Sequence, residues 1–403
     1  MRKKMSWEEA VAACTDVIDF NLDTDTIPLG LGLNRVAAED LLADNDVPLF
    51  DRSQVDGYAV TAEDYGCLKS ETGTEIAYEV IGTIAAGIPL DLELVHGKTA
   101  KIMTGGCLPR GTAAVIKQEY VVSAGHSLVN ITTNRNEKNW CERRGSLVKK
   151  GQIIAKAGEV LKENTLELLA SAGVSSIKVY RKPKVYIIST GTELIMPGST
   201  AERGQIYNSN FTMLAAELQK EDCELIQGIG NLQDDLTQIS AEIQKGMDCS
   251  DLVIITGGAS EGEYDLVPAA MRKAGCSIIC GQLDMKPGTR VTLAVKDKKV
   301  LLNLPGNPAA GSILFGILIV PILRKLKGIS DFYPRWFSIR LLEAIPHHGH
   351  CRWFCRGQLV ETANGLQAIP LERYDGITGI ASLVLDIAPE KGQKGDLVRG
   401  LII

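Results

Sequence analysis

Apolar, strand-like runs alternate with amphipathic helical segments between residues 184 and 326. The predicted order is strand 184–190, helix 208–220, strand 223–229, helix 234–246, strand 251–256, helix 264–274, strands 291–296 and 299–304, and helix 307–326. Because parallel strands need long crossover connections, this alternation is typical of βαβ units. The pattern therefore predicts a doubly wound parallel sheet with helices on its faces.

The rest of the chain is richer in short strands. Helices are predicted at 6–22, 33–44 and 164–172, and short strands at 77–84, 101–103, 114–119, 128–132 and 174–179. Further short apolar runs occur at 337–342, 366–370, 381–387 and 397–403. These runs predict a modest all-β module before residue 135 and a small β-barrel or sandwich after residue 335.

Composition narrows the class of protein. The 403 residues carry 43 basic and 49 acidic side chains, a formal net charge of −6, which argues against a nucleic-acid partner. The ten cysteines are scattered without a Cys-x-x-Cys pair, so we expect a protein of the reducing cytoplasm. The longest apolar run, 309–323, is too short to span a bilayer and is expected to form a buried helix, so no membrane association is predicted.

Four short loops carry the candidate chemistry. They are Ser189-Thr-Gly-Thr-Glu193, Thr256-Gly-Gly-Ala-Ser-Glu-Gly-Glu-Tyr-Asp265, Met285-Lys-Pro-Gly288 and Leu304-Pro-Gly-Asn-Pro308. Three of them directly follow an apolar, β-branched run. In open α/β sheets, ligands bind where strands end and helices begin, because free backbone N–H groups converge there. The set therefore predicts one composite site for an anionic ligand.

Each loop taken alone also has a plainer explanation. Glu263 and Asp265 suit simple capping of the helix that follows them. Lys286 is about as well explained as a solvated loop lysine. The Pro305–Pro308 turn would be structural more often than functional if it stood alone.

Two further clusters suggest metal binding. Asp51 and Asp56 lie five residues apart on one loop, which suits Mg²⁺ coordination and Asx-turn chemistry equally well. The segment His347-His-Gly-His-Cys351 with Cys355 matches no closed tetrahedral ligand pattern, which disfavours zinc.

Several longer stretches accompany the four loops. They are Pro48-Leu-Phe-Asp-Arg-Ser-Gln-Val-Asp-Gly-Tyr-Ala-Val60, Lys101-Ile-Met-Thr-Gly-Gly106, Gln118-Glu119, Arg181-Lys-Pro-Lys-Val185 and Gly204-Gln-Ile-Tyr-Asn-Ser-Asn210. Over nearly its whole length the chain thereby resembles the molybdopterin molybdenumtransferase family (MoeA type, including the E domain of gephyrin). So many stretches match in the same order that the probability of agreement by chance is very small.

The resemblance implies a multidomain α/β plus β fold in four parts. Residues 1–45 and 143–180 would form an elongated linker and dimerisation domain, and 46–142 an inserted β-rich domain. Residues 181–328 would form a molybdopterin-binding domain, a doubly wound parallel sheet of the MoaB/MogA-like kind, and 329–403 a C-terminal β-barrel.

The resemblance also implies an activity. It implies an enzyme of molybdenum cofactor biosynthesis that inserts molybdate into adenylylated molybdopterin, with Mg²⁺, and releases AMP. It implies a homodimer with the site between subunits, and it leaves open a molybdopterin adenylyltransferase as the partner that delivers the substrate.

Site residues follow from the matching motifs. Asp56, Glu193 and Lys286 are the expected catalytic residues, and the expected metal ligands are Asp56, Glu119, Glu263 and Asp265. The expected ligand-binding residues are Ser189, Thr190, Gly191, Thr256, Gly257, Gly258, Ser260, Arg290, Pro305, Gly306, Asn307 and Pro308.

The chain departs from the family pattern on the acidic side of the site. Arg144-Gly-Ser-Leu147 stands where the family has Arg-Gly-Glu-Asp, Thr192 replaces an aspartate, and an expected aspartate aligns with Leu232. Arg290 stands near a missing lysine, and Glu261 and Glu263 add acid elsewhere. Fewer carboxylates weaken divalent-ion binding. A second hypothesis is therefore a catalytically reduced paralogue that acts as a molybdopterin-binding carrier or assembly protein.

Overall fold

A six-stranded mixed sheet forms the centre of the α/β domain. The computed structural model describes residues 4–19, 23–70, 75–123, 127–132, 138–226, 228, 231–258, 266–345, 351–371 and 383–403. Across the sheet the strands run Glu224–Ile226, Lys184–Ser189, Leu252–Thr256, Lys299–Leu304, Thr292–Lys296 and Ser277–Cys280. The first four are parallel and the last two antiparallel. The fold class predicted for this region is confirmed, with an antiparallel edge added.

Helices cover both faces of this sheet. Ser209–Lys220, the N-terminal Trp7–Thr15 and the Pro308–Leu326 segment pack on one face, while Leu236–Cys249 and Val267–Lys273 pack on the other. The strand pattern explains this arrangement, because successive side chains point to opposite faces. In Lys184–Ser189, Val185 and Ile187 enter one core cluster, and Tyr186 and Ile188 enter the other.

The most apolar helix is a core helix. It consists of Pro308–Leu314, a π-helical turn at Phe315–Ile319 and Val320–Leu326. Pro308–Leu326 is the one helix among the described residues that is long and apolar enough to cross a bilayer, yet 78% of it is buried inside the protein. Its composition is accounted for by burial in the core, as the sequence predicts.

The inserted module is a second six-stranded sheet. Its strand order is Ala114–Lys117, Gly57–Val60, Lys98–Ile102, Ile76–Ile84, Leu128–Ile131 and Val121–Ser123. The helix Ala62–Ser70 and the 3-10 turn Gln118–Tyr120 complete it. That helix was not expected from the sequence, because its apolar positions are few.

The linker part is built from short paired strands around the helix Glu163–Ser171. The pairs are Thr24–Pro28 with Ser176–Tyr180, Leu41–Leu42 with Ile153–Ala155, and Arg52–Ser53 with Cys141–Glu142. A 3-10 turn lies at Leu29–Leu31.

The predicted helix at 33–44 is wrong. Asn34 has a left-handed φ of 62°, Val36 and Ala37 form bridges to distant residues, and Leu41–Leu42 is a strand. The apolar spacing at 33, 36, 37 and 41 is helix-like. Pairing with a segment more than a hundred residues away prevails, and no local pattern reveals such pairing.

The last module is a closed five-stranded β-barrel, as expected. Its strands are Phe337–Leu341, Arg352–Thr362, Gly365–Leu371, Leu383–Ile387 and Leu397–Ile402. Closure results because Arg352–Thr362 pairs with both Gly365–Leu371 and Leu383–Ile387. The strand Met285–Lys286 pairs with the barrel strand Arg352–Thr362, and Lys4–Met5 pairs with Gln282–Leu283, so these short strands connect the parts. Within the α/β domain, Leu194–Ile195 pairs with Ile206–Tyr207.

Candidate functional site

Hydroxyl side chains line the carboxyl edge of the α/β sheet. Ser189 and Thr256 end neighbouring parallel strands, and both are buried. The Thr256 hydroxyl donates to the Ser189 hydroxyl over 3.0 Å. The Thr190 N–H donates to the Thr256 carbonyl over 2.9 Å, which fixes the two strand ends relative to each other. Three predicted ligand-binding residues therefore lie together.

Glycine is required where the two strand-end loops touch. Gly257 and Gly258 have φ of 95° and 58°, which favours glycine. A Cβ on Gly257 would lie 2.0 Å from the Thr190 carbonyl oxygen, and one on Gly258 would lie 2.5 Å from Val267. These close approaches explain the glycine pair by backbone packing, and they hold the loop against the sheet edge.

The Pro305–Pro308 loop occupies the neighbouring strand end, because Leu304 pairs with Thr256. The Asn307 side chain accepts from the Ala309 N–H and so caps the core helix. Gly306 and Asn307 are exposed, and no atom lies within 4 Å of the place a Gly306 Cβ would occupy. The loop therefore presents open backbone at the same edge.

Two cations flank this edge in different places. Arg290 is exposed and precedes Thr292, which pairs with Asn303 beside the Pro305–Pro308 loop. Lys286 is exposed and lies where Met285–Lys286 pairs with the first barrel strand. Within the described part of the chain, the Lys286 side chain makes no hydrogen bond or ion pair, so its ammonium group is available to a ligand.

Glu193 lies beside Gly191 on the first loop. Its carboxylate is so close that a Cβ on Gly191 would lie 2.7 Å from the Glu193 Oε2. Glu193 is exposed, and the Gly191 N–H donates to the Leu232 carbonyl over 3.1 Å. The predicted catalytic carboxylate thus lies at the outer rim of the hydroxyl-lined edge.

Asp234 is a site carboxylate that the sequence reasoning missed. Leu232, which aligns with an expected aspartate, is buried in the core beside Thr190. Two residues later Asp234 accepts from the Thr190 hydroxyl over 2.8 Å. The acid therefore lies on this edge at a shifted position. The neighbouring Asp-Asp pair before the predicted helix was the available signal.

Asp56 and Glu119 lie on the inserted module instead. The Gln118 N–H donates to the Asp56 carbonyl over 3.1 Å, so Glu119, the residue that follows Gln118, lies near Asp56 in space. Among the described residues, no hydrogen bond or ion pair of Asp56 or Glu119 reaches the α/β sheet. Asp56 and Glu119 therefore belong to a module whose core clusters are separate from those of the α/β sheet.

The Asp56 carboxylate is oriented by Thr104. Its Oδ1 accepts from the Thr104 N–H over 2.7 Å and from the Thr104 hydroxyl over 2.8 Å. These hydrogen bonds lower the pKa of Asp56 below its usual value. Its Oδ2 has no partner among the described residues. Asp56 is thus an ionised carboxylate with one free oxygen, which suits a cation ligand.

Asp51 serves the structure rather than a metal. It accepts from the Arg143 guanidinium and from the Arg144 N–H, each over 2.7 Å. Partial burial raises the pKa of Asp51, but these hydrogen bonds prevail and lower it. The alternative of an Asp51–Asp56 metal pair is not supported by this geometry.

Some predicted positions lie outside the described residues. They are Ser260, Glu261, Glu263, Asp265 and the three histidines of the candidate zinc cluster. In the described ranges no group of three or more His, Cys, Asp or Glu side chains is placed to hold a metal ion. Burial raises the pKa of Cys355 to about 12, so this thiol stays protonated.

Comparison with known families matches two regions of the chain. Residues 5–173 match the MoeA N-terminal region (domain I and II). Residues 186–325, which hold the hydroxyl-lined edge, match a probable molybdopterin binding domain.

Individual proteins agree over most of the length. The molybdopterin molybdenumtransferase of Staphylococcus aureus (strain Mu50) is 30% identical, covering 86% of this chain and 81% of its own. The enzyme of the same name from Bacillus subtilis is 33% identical, and the match covers 93% of this chain and 87% of the relative. The solved structure of the molybdopterin biosynthesis MoeA protein from Pyrococcus horikoshii is 27% identical with a TM-score of 0.81, covering all of both chains. The chain therefore belongs to the molybdopterin molybdenumtransferase family and is an enzyme of molybdenum cofactor biosynthesis.

Proposed function

We propose that this protein inserts molybdate into adenylylated molybdopterin and releases AMP. The observation that carries the proposal is the hydroxyl-lined, glycine-rich sheet edge within the region that matches a probable molybdopterin binding domain. Such an edge offers hydroxyls and open backbone N–H groups to phosphate oxygens. Ser189, Thr190 and Gly257 would position the pterin phosphate.

The cations supply charge for the anionic reactants. Lys286 and Arg290 would face the phosphate of the adenylyl group and the incoming molybdate, as Lys and Arg bind oxyanions through charge-assisted hydrogen bonds. Arg290 is a planar donor at a place where the family resemblance led us to expect lysine. Glu193, at the rim of the edge, would hold or move a proton during release of AMP.

Carboxylates at the carboxyl edge of the α/β sheet and on the inserted module are suitable ligands for Mg²⁺. Asp56 and Asp234 each have one carboxylate oxygen without a partner among the described residues, and Glu119 is exposed. We infer that these groups, with Glu263 and Asp265, hold the ion. When bound, Mg²⁺ would neutralise charge on the adenylyl phosphate.

The site would be completed by a second subunit. Asp56 and Glu119 lie on a different module from the sheet edge, so a partner protomer is required to bring them to it. Large apolar side chains are exposed on and beside the linker part and would be available for dimerisation, namely Leu31, Leu33, Leu42, Leu49, Phe50, Leu147 and Ile153. Exposed apolar surface of this kind marks association sites.

The cellular setting follows from the same chemistry. The ten cysteines, all among the described residues, form no disulfide bond, which suits a reducing cytoplasm. The adenylylated substrate requires an enzyme that first adenylylates molybdopterin, so we infer a molybdopterin adenylyltransferase as the supplier and functional partner.

One assay tests the proposal. Purified protein is incubated with adenylylated molybdopterin, Mg²⁺ and molybdate, and AMP is quantified by chromatography. We expect AMP release that needs both Mg²⁺ and molybdate, and we expect Asp56→Asn to abolish it. Asp91→Asn is the matched control, because Asp91 is 88% exposed on the same module and pairs only with Arg110.

The assay also separates the second hypothesis. Pterin binding without AMP release above background would contradict the transferase proposal and favour a molybdopterin-binding carrier. Full activity of Asp56→Asn would contradict the placement of the metal ligands.

A further inference from the structure

The amide of Asn303 is buried without a partner. Asn303 lies in the strand Lys299–Leu304, directly before the Pro305–Pro308 loop, and is 0% exposed. Among the described residues, neither its Nδ2 nor its Oδ1 has a hydrogen-bond partner. Buried polar groups are nearly always paired, because an unpaired one loses its hydration without compensation. Folding alone therefore does not explain an amide at this position.

The sheet register places this amide beside the glycine loop. Asn303 pairs with Ile255 on one side and Thr292 on the other. Its neighbours Leu302 and Leu304 belong to the core cluster of the opposite face. Asn303 must therefore lie on the Ile255 face, where Gly258 contacts Val267. The amide is thus one residue below the carboxyl edge, on the side of the glycine loop.

A second unpaired amide atom borders the same loop. Asn210 donates from Nδ2 to the Gly306 carbonyl over 2.9 Å, and its Oδ1 is buried without a partner. Asn210 approaches from the helix Ser209–Lys220 on the other face. The Pro305–Pro308 loop is therefore flanked by unsatisfied amide groups on both faces of the sheet.

The chemistry of a carboxamide restricts what can satisfy it. Asn303 offers an N–H donor and a carbonyl acceptor side by side. Phosphate and molybdate oxygens only accept, so they would leave the Asn303 Oδ1 unpaired. A heterocycle with an adjacent donor and acceptor pairs with both atoms, as adenine does with asparagine. The pyrimidinone ring of a pterin, with adjacent N–H and C=O groups, offers the same pattern.

We infer that Asn303 is a specificity-determining residue that binds the heterocycle edge of the substrate through paired hydrogen bonds. The inference rests on the proposed function, which supplies a ligand with a pterin and an adenine. Because the amide is enclosed in the free chain, the ligand has to displace the residues that cover it. Pairing then removes the cost of the two unsatisfied atoms.

The test uses Asn303→Leu, which keeps the side-chain volume and removes both polar atoms. Thermal unfolding of the full chain is measured together with binding of pterin, AMP and molybdate by calorimetry. We expect a Tm equal to or above that of the unchanged protein, because an unpaired buried amide is removed. We expect the affinity for one heterocycle to fall about tenfold, the scale of lost paired hydrogen bonds, with molybdate binding unchanged.

The two heterocycle probes, pterin and AMP, show which ring of the substrate Asn303 binds. If Asn303→Leu loses affinity for pterin alone, Asn303 binds the pterin ring. If it loses affinity for AMP alone, Asn303 binds the adenine ring. Asn45→Leu is the control, because the Asn45 amide is paired with the Ala172 carbonyl outside the site. It should lower Tm and leave binding unchanged.

Other outcomes overturn the inference. If Asn303→Leu lowers Tm and leaves both heterocycle affinities unchanged, the amide is structural. Unchanged affinities with a raised Tm, or no binding of either heterocycle to the unchanged protein, also contradict it. AMP release tests the proposed function separately, so a failure of either one can be recognised by itself.

Discussion

At the scale of single residues, contacts between backbone and side chain hold the site in shape. Thr104 fixes one oxygen of Asp56, and Thr190 bonds both the Thr256 carbonyl and Asp234. In Asp56 and in Asp234, the second carboxylate oxygen has no hydrogen-bond partner among the described residues. Binding groups with their unbonded atoms already oriented lose less entropy when a ligand arrives.

Gly257→Ala should destabilise the carboxyl edge of the α/β sheet. The added Cβ would lie 2.0 Å from the Thr190 carbonyl oxygen, and φ of 95° is strained for alanine. We expect a loss of about 1–3 kcal/mol of stability and most of the AMP release, measured by urea unfolding and chromatography. Gly30→Ala is the control, since no atom lies within 4 Å of its Cβ position. Equal stability of the two variants would contradict the close packing of the loops.

Thr104→Val should make activity more sensitive to acid. The Thr104 N–H and hydroxyl lower the pKa of Asp56, so removing the hydroxyl raises that pKa toward its usual value. Protonated Asp56 cannot bind Mg²⁺, so AMP release at about pH 4 relative to pH 7.5 should fall more in the variant than in the unchanged protein, because the usual aspartate pKa is about 3.9. Thr104→Ser keeps both donors and should behave as the unchanged protein does. An identical pH ratio in all three proteins would refute this role.

The sequence identifies individual candidate site residues only where they belong to a recognisable motif. The hydroxyls and glycines were found because they directly follow apolar runs. Asp234 was missed because an alignment in register points to Leu232, while the carboxylate reaches Thr190 from two residues later. Asn303 carried no signal, because an asparagine inside an apolar strand reveals its missing partners only when the fold is known.

At the scale of elements, an ion pair between Arg181 and Asp251 lies at the junction between the linker and the α/β domain. Arg181 donates two hydrogen bonds to Asp251, at 2.7 and 2.8 Å, and the Lys184 N–H donates to the same carboxylate over 2.7 Å. Asp251 directly precedes the strand Leu252–Thr256. The pair therefore connects the start of a central strand to the chain segment that enters the domain.

Asp251→Asn should destabilise the protein in a pH-dependent way. Partial burial raises the pKa of Asp251, but the bonds from Arg181 and Lys184 outweigh it and lower the pKa. A lowered folded-state pKa stabilises the fold above the usual aspartate value of about 3.9, and that stabilisation is lost as pH falls through the folded pKa. We expect a loss of about 1.5–3 kcal/mol at pH 7 that becomes smaller as pH falls below about 3.9 toward the folded-state pKa.

The measurement is urea unfolding of both proteins at pH 7 and pH 3. Asp248→Asn is the control, because Asp248 is exposed on the preceding helix and bonds only Gln244. A loss of the same size at both pH values would show that charge is not the cause.

Element prediction succeeded where the pattern was local. Most strands and helices between 184 and 326 were predicted within a few residues, because each βα unit carries its own periodicity and cap. The edge strand Ser277–Cys280 was not predicted. The helix expected at 33–44 failed because distant strands pair with that segment. The strand Arg352–Thr362 was not predicted, since its side chains alternate weakly between buried and exposed.

At the scale of the whole molecule, we propose that the site is shared between two chains. The family resemblance implied this, and the fold gives a physical reason, because Asp56 lies on a module whose bonds do not reach the sheet edge. Symmetric dimers form two such sites from the same two surfaces. Each site then takes Asp234 from one protomer and Asp56 from its partner.

Mixing two inactive variants tests this sharing. Asp56→Ala and Asp234→Ala should each lose AMP release as homodimers. When the two chains are co-expressed in equal amounts, half of the dimers are mixed, and each mixed dimer has one site with both carboxylates. We therefore expect about a quarter of the unchanged activity to return, as two-fold symmetry requires. Mixing the double variant with unchanged protein is the control, and it should also leave about a quarter, since only unchanged homodimers keep their sites. No recovery in the first mixture, with half of the activity left in the second, would mean that each site is formed by a single chain.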